Sequence, residues 1–199
     1  MGSESFDLFG ERPAGPEGFV YREDVIGPAE ERELAERIRV LPLQEFDFHG
    51  YLGKRRVISY GWRYDYDRSV AERTDDIPEF LLPLRRRAAA FAGLAENDLQ
   101  QAHVIEYGSG AGIGWHRDKP QFGDVVGFSL LSPCRFRLRL KTGRTWRRVS
   151  LTLFPRSAYL MRGPSRTEWE HSIPPVDRLR YSITFRSLAT NQTRRVATR

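Results

Sequence analysis

Hydrophobic and polar positions follow two different rhythms along this chain, and the change between them divides it. In Pro28-Ala-Glu-Glu-Arg-Glu-Leu-Ala-Glu-Arg-Ile-Arg-Val-Leu41, the apolar residues Leu34, Ile38 and Leu41 recur at helical spacing and share one face. Pro28 suits a first helical turn, and the acids that follow it suit the positive end of the helix dipole. A second helix is expected within residues 76–94, with Asp76 as its cap and Ile77, Phe80, Leu84, Ala88 and Phe91 as its apolar stripe. Pro83 should kink or restart it, because proline lacks the amide hydrogen that the helix interior needs.

From residue 101 onward the period shortens to two, between Gly, Pro and Ser breaks. Strands are expected at His103–Tyr107, Ile113–Asp118, Val125–Leu131, Arg135–Leu140, Trp146–Leu153, Ala158–Met161, Glu168–His171 and Arg180–Ser187, with a turn at Lys141–Arg144. This strand density points to a sandwich or jelly roll, with the two helices packed on one sheet: a β-rich α+β fold. Residues 1–20, rich in Gly, Pro and Glu, are expected to form a flexible N-terminal segment. Residues 21–188 then form one domain, and 189–199 a basic C-terminal tail.

Composition narrows the classes. A chain of 199 residues with 40% hydrophobic content can bury a core of its own. No apolar run approaches a membrane span, and no basic-then-apolar leader opens the chain. The single cysteine, Cys134, excludes an internal disulfide, and a cytoplasmic protein, monomeric and with no membrane partner, is the expectation. The net charge of +6 rests on 29 arginines and only Lys54, Lys119 and Lys141. That balance favours a polyanionic partner, although a GC-rich coding sequence would also produce it.

The candidate chemistry begins in Gly112-Ile-Gly-Trp-His-Arg-Asp-Lys-Pro120. In an extended strand His116 and Asp118 would share one face, as metal ligands or as an ordinary ion pair. His171 ends a short strand farther on and could be a third ligand, or a histidine bonded to backbone. Two imidazoles and a carboxylate on one side of a divalent iron leave positions open for other ligands, whereas structural zinc would call for thiolates. Next comes Arg180-Tyr-Ser-Ile-Thr-Phe-Arg186, in which Tyr181, Ile183 and Phe185 alternate with Arg180, Ser182, Thr184 and Arg186. The two arginines stand roughly 20 Å apart along a strand, and their arms reaching inward would leave room for a five-carbon dicarboxylate. Each guanidinium can grip a carboxylate by paired hydrogen bonds.

This set, H-x-D, a later His and R-x5-R in a strand, resembles the AlkB family of iron(II)- and 2-oxoglutarate-dependent dioxygenases over roughly residues 100–188. The resemblance implies a double-stranded β-helix (jelly-roll) core, the N-terminal helices packed on one sheet, and a nucleotide-recognition lid at about 45–68. It implies that His116, Asp118 and His171 bind Fe(II). Arg180, Arg186, Tyr107 and Ser182 would hold the cosubstrate 2-oxoglutarate, with O2 as oxidant. It implies oxidative dealkylation of N-alkylated bases, with alkylated single- or double-stranded DNA, or RNA, as partner. Two positions depart from the family pattern. Ile105 replaces an asparagine that bonds the cosubstrate, and Pro120 stands where some members carry a second carboxylate that reads the base. The glycines of Tyr107-Gly-Ser-Gly-Ala-Gly-Ile-Gly114 are not followed by a helix start, so a close approach of strands explains them better than a dinucleotide loop.

The segment from Phe46 to Tyr66 interleaves aromatics with Lys54, Arg55, Arg56 and Arg63. Tyr51, Tyr60, Trp62, Tyr64 and Tyr66 are candidate faces for a base to stack on, and Arg55 and Arg56 candidate phosphate contacts. The bland alternative is a hairpin that covers the core. Arg135, Arg137 and Arg139 alternate with Phe136, Leu138 and Leu140, as a phosphate track or a solvated face. His49 and His103 are read as structural. Two other functions stay open: the same metal centre acting on a protein or small molecule, and a non-catalytic β-barrel that binds nucleic acid.

Overall fold

The computed structural model describes residues 15–48, 51–65 and 70–189, without the side chains of 46–48 and 51–53. In chain order its elements are β1 (Phe19–Arg22), α1 (Pro28–Arg39), β2 (Gln44–Phe48), β3 (Tyr51–Tyr60), β4 (Trp62–Asp65), β5 (Val70–Arg73), α2 (Leu82–Ala92), β6 (Leu99–Tyr107), β7 (Ile113–His116), β8 (Phe122–Leu130), β9 (Cys134–Thr142), β10 (Thr145–Leu153), β11 (Ala158–Met161), α3 (Pro164–Thr167), β12 (Glu170–Ile173) and β13 (Arg180–Leu188). Seven strands form one sheet in the order β1-β11-β8-β13-β6-β3-β2, and four form a second in the order β10-β9-β12-β7. A small pair, β4-β5, stands apart from both sheets.

Three layers result. Leu34 and Ile38 of α1 and Leu84 and Ala88 of α2 pack against Val104, Phe128, Ile183 and Phe185 on one face of the large sheet. The other face meets the small sheet through Ile105, Val125, Phe136, Leu138, Tyr159, Trp169 and Ile173. Burial of each large apolar side chain contributes about 1.5–3 kcal/mol, so both clusters are needed to hold the layers in place. Strand alternation sorts the residues. On β13, Ile183 and Phe185 turn toward the helices, which leaves Arg180, Ser182, Thr184 and Arg186 between the sheets.

All eight expected strands form, with shifted ends; β7 stops at His116, so Asp118 follows the strand rather than continuing it. The helix expectations need one correction. A 3-10 turn at Glu79–Leu81 precedes α2, whose N-cap position is Leu81, so Asp76 does not cap it. Asp76 pairs instead with Arg73 at 3.4 Å. Pro83 sits in the first turn of α2, where its missing amide hydrogen costs nothing. Strand order begins at Phe19, where β1 pairs with β11 at the sheet edge. No helix among the described residues is long and apolar enough to cross a membrane.

Candidate active site

Strands β7 and β12 pair antiparallel with His116 directly opposite His171, their ring centroids 4.2 Å apart. Asp118 curls back just beyond β7, and one ligand atom from each of the three residues lies within 4.8 Å of the others. The Gly114 carbonyl accepts a hydrogen bond from His116 Nδ1 at 2.9 Å. A carbonyl can only accept, so Nδ1 carries the proton and Nε2 keeps its lone pair. Burial and the neighbouring His116 push His171 down to about 3, and burial also lowers His116. Both imidazoles are therefore neutral at pH 7, the form that ligates metals. Burial alone would raise the Asp118 carboxyl, but Arg186, His171, Arg166 and His116 together hold it well below the usual carboxylate range.

The loop that carries Asp118 is fastened by a residue that sequence reading did not single out. Arg166, in α3 and buried, donates to the carbonyls of Asp118 (3.2 Å), Lys119 (2.7 Å), Phe122 (2.7 Å) and Gly123 (2.9 Å). One guanidinium thus sets the path of the chain after β7. Nothing marks it out among 29 arginines in sequence, because the carbonyls it gathers are backbone.

Behind the three ligand candidates lies the inner row of β13. Arg186 donates to Asp118 Oδ1 (3.1 Å) and Gln101 Oε1 (2.9 Å), and its Nε is buried without a partner among the described residues. Arg180 is completely buried; its Nε donates to Ser129 Oγ at 3.0 Å, and its guanidinium stands over the Tyr107 ring at 5.0 Å. Both Nη atoms of Arg180 have no hydrogen-bond partner among the described residues. A buried cation with free donors is costly by several kcal/mol, so this place is built for an anion. A carboxylate, with paired acceptor oxygens, matches the two free prongs.

A cavity of about 1020 Å³ opens over the three ligand candidates and Arg186; Arg180 is not part of its lining and stands behind Tyr107, over whose ring its guanidinium lies. His116, Asp118, His171, Tyr107, Ser182, Thr184 and Arg186 line it, together with Ile105, an apolar side chain where the family pattern expects an amide. Tyr159, also missed in sequence, lines the same wall. Its ring lies across Gly127, where a Cβ would fall 2.3 Å from Tyr159 Cζ and 2.5 Å from its hydroxyl. Only glycine at 127 admits the ring there. Gly127 pairs with Thr184 and Ser129 with Ser182, so the Tyr159 hydroxyl lies beside the polar row between the two arginines. The Gly112 position likewise comes within 2.7 Å of the Ile173 carbonyl, the close approach expected of that glycine-rich stretch. His103 bonds Ser59 Oγ through Nδ1 at 2.8 Å and faces the cavity; burial, Arg186 and Arg55 bring it down to about 3.

The lid candidates divide. Arg55 and Tyr64 line the cavity, with Lys119 over the Tyr64 ring at 4.9 Å. Three others point elsewhere. Tyr60 is 7% exposed in the helix-side core. Trp62 is 8% exposed against Phe122 and Leu188, so neither ring offers a face to a base in this structure. Arg56 turns to the opposite face of β3 and forms a two-pronged pair with Glu106 at 2.7 and 2.9 Å. His49, Tyr66 and the Tyr51 side chain lie outside the described residues.

A neutral His pair and an ionised carboxylate set between two sheets fit a 2-oxoglutarate- and iron(II)-dependent dioxygenase, the class that the family model assigns. The 2OG-Fe(II) oxygenase superfamily model matches residues 29–194. A protein of Arabidopsis thaliana described as "Alkylated DNA repair protein ALKBH8 homolog" is 31% identical over 192 residues, covering 82% of this chain and 53% of that protein. The Xenopus tropicalis "tRNA (carboxymethyluridine(34)-5-O)-methyltransferase alkbh8" is 28% identical over 169 residues, covering 82% of this chain and 26% of that protein. The chain thus spans about half the length of the first relative and about a quarter of the second. The solved structure of OsALKBH1 matches with a TM-score of 0.65 at 17% identity, covering 85% of this chain and 96% of the other, a likeness of fold. The chain belongs to the 2OG-Fe(II) oxygenase superfamily, whose cofactors are Fe(II), 2-oxoglutarate and O2, and its likeness to the ALKBH8-named relatives agrees with the AlkB resemblance of its motifs.

Proposed function

We propose that this enzyme oxidises a carbon attached to a base of nucleic acid, and removes it as an aldehyde where that carbon is an alkyl substituent on nitrogen. The observation that carries the reading is the cavity. At about 1020 Å³ it exceeds what a five-carbon dicarboxylate fills, and it runs from the His116–Asp118–His171 group to Arg55, Arg63 and Tyr64. A base extruded into it would meet an aromatic face and cations for its phosphates before it reached the metal position.

In this reading His116, Asp118 and His171 hold iron, which supplies the oxidising chemistry when bound with 2-oxoglutarate and O2. Arg180 grips the distal carboxylate with its two free Nη groups, and Tyr107, Ser182 and Tyr159 offer hydroxyls along the way. Arg186 keeps Asp118 ionised and presents its unpartnered Nε toward the same space. Ile105, Ile173 and Phe136 give the inner wall an apolar part, which limits water at the reacting carbon.

A second reading is favoured by the names of the relatives, one of which specifies tRNA. There the substrate is a substituted base in transfer RNA, and hydroxylation without loss of carbon is the outcome. Incubation with Fe(II), 2-oxoglutarate and a panel of N-alkylated DNA and RNA oligonucleotides and of transfer RNA, resolved by mass spectrometry, separates the two. Loss of an alkyl mass supports the first reading, and gain of one oxygen on transfer RNA the second. A panel left wholly unchanged while 2-oxoglutarate is consumed would remove nucleic acid as the substrate.

A further inference from the structure

The small sheet has an outer face that the reaction does not use. Its four strands place Arg135, Arg137, Arg139 and Lys141 of β9 and Arg148 of β10 on that side, and their single acid is Glu170 of β12. Two indoles interleave with the cations: Arg139 lies over Trp146 at 4.1 Å and over Trp115 at 4.4 Å, and Arg137 over Trp115 at 4.9 Å. Glu170 is taken up by Arg139 Nε at 2.6 Å. Arg137 and Arg135 each spend one donor, on Ser172 Oγ (3.0 Å) and Ser150 Oγ (3.2 Å). A guanidinium has five N–H donors, so these bonds leave most of the donors of each available to a ligand. Arg148 and Lys141 are exposed and form no ion pair among the described residues.

This face is continuous with the active-site cavity. Strand β7 is one edge of the small sheet, and on it Trp115 and His116 point to opposite sides. The cavity mouth already includes Trp115 and, just beyond the strand, the exposed Arg117. A polyanion leaving the cleft over that edge meets Arg117 and Trp115 first, then the rows of β9 and β10.

We propose that the outer face of the small sheet binds the sugar–phosphate backbone of the same nucleic-acid strand whose base enters the cavity, so that the strand wraps around the edge at β7. The proposal rests on the nucleic-acid reading above. Charge complementarity selects the occupant. The cations are spread along two neighbouring strands as a track for successive phosphates, and the indoles offer π-faces for unpaired bases. The protein then has two contact regions for one strand, the cavity for the target base and the outer face for what flanks it.

The test replaces the exposed Arg135, Lys141 and Arg148 by Gln together, which spares the Arg137 and Arg139 hydrogen bonds, with Trp146→Ala as a second variant. Binding of an unmodified single-stranded RNA of roughly twenty nucleotides is followed across a salt series, long enough to span cavity and face. The triple variant should bind at least about tenfold more weakly at low salt, with its log–log salt slope reduced by up to about 2. Trp146→Ala should weaken binding with the slope intact. In parallel, turnover of an alkylated trinucleotide should match wild type in both variants, while KM for an alkylated long oligonucleotide rises. Unchanged affinity and slope in the triple variant would overturn the proposal, as would equal loss on trinucleotide and long substrate, which would mean a damaged fold. Absence of any turnover of alkylated nucleic acid by the wild type would instead refute the reading beneath it, a different result. Binding of a folded duplex in strong preference to single strands would also overturn the single-strand path.

Discussion

His116 and His171 face each other across the β7–β12 ladder with ring centroids 4.2 Å apart, although 55 positions separate them in the chain. The pairing exists because β12 pairs with both β7 and β9, which brings the end of one strand opposite the end of the other. Two neutral imidazoles so close are mutually unfavourable to protonate, and each gains most by sharing one cation.

Asp118→Asn and Asp118→Ala should both abolish tight Mn(II) binding, but they should differ in stability. Asp118 is the acid that pairs with Arg186 at 3.1 Å, with side-chain exposures of 11% and 12%. Alanine leaves that cation without its counterpart and should cost about 3 kcal/mol, whereas asparagine keeps an acceptor and should cost less. Mn(II) titration and denaturant unfolding of the metal-free protein check both halves. Equal stability of the two variants would show that the acceptor kept by asparagine does nothing for Arg186, and wild-type stability in both would show that the ion pair contributes nothing to the fold.

Arg180→Lys should weaken 2-oxoglutarate binding roughly 10- to 150-fold, the loss of about 1.5–3 kcal/mol for one charge-assisted hydrogen bond. Lysine keeps the charge but presents a single point donor where two Nη groups now stand free. Calorimetric titration with Mn(II) in place of iron reads this without turnover. An unchanged Kd would mean that the anion site lies elsewhere.

Trp62→Ala and Tyr64→Ala, neighbours but one on β4, should fail in different ways. Trp62 is 8% exposed, packed against Phe122 and Leu188, so its removal should cost about 3–5 kcal/mol of stability. Tyr64 lines the cavity and only flanks that cluster, so its removal should lower the melting temperature less than loss of Trp62 does and weaken oligonucleotide binding by about 1–3 kcal/mol. Thermal unfolding and fluorescence anisotropy separate the two effects.

The metal-free protein should lose stability between pH 7 and pH 5. His103 and His171 titrate near 3 in the fold, against about 6.5 in an unfolded chain. Between those values the unfolded state binds more protons, so stability falls as pH falls, by up to about 1.4 kcal/mol per pH unit for each histidine. Above about 6.5 neither contributes a slope. Denaturant unfolding at the two pH values should show the drop, to which His116, also lowered by burial, adds, and His103→Gln should remove His103's share of it. A variant with the full wild-type drop would mean that His103 does not carry its share.

The difference between what was legible in the chain and what was not follows from the contrast between strand faces. On β13, Ile183 and Phe185 on one side and Ser182, Thr184 and Arg186 on the other differ so sharply that period two alone assigns the inner row. On β3 the alternation mixes types. Arg55 turns to the cavity and Arg56 to Glu106, Ser59 to His103 and Tyr60 to the helices, and a string of aromatics and cations gives no sign of which is which. Arg166 was hidden for another reason, since it acts on backbone carbonyls that any sequence could supply. Tyr159 depends on a glycine in a different strand, a relationship that exists only after β8 and β11 pair.

The most direct test is the ratio of succinate formed to base oxidised when the enzyme turns over the preferred alkylated oligonucleotide with Fe(II) and 2-oxoglutarate. The two products should form in equal amounts, succinate should form much more slowly without the oligonucleotide, and Asp118→Asn should lose both products. Succinate formed at the same rate whether or not an alkylated oligonucleotide is present, with the oligonucleotide recovered unchanged, would contradict this coupling.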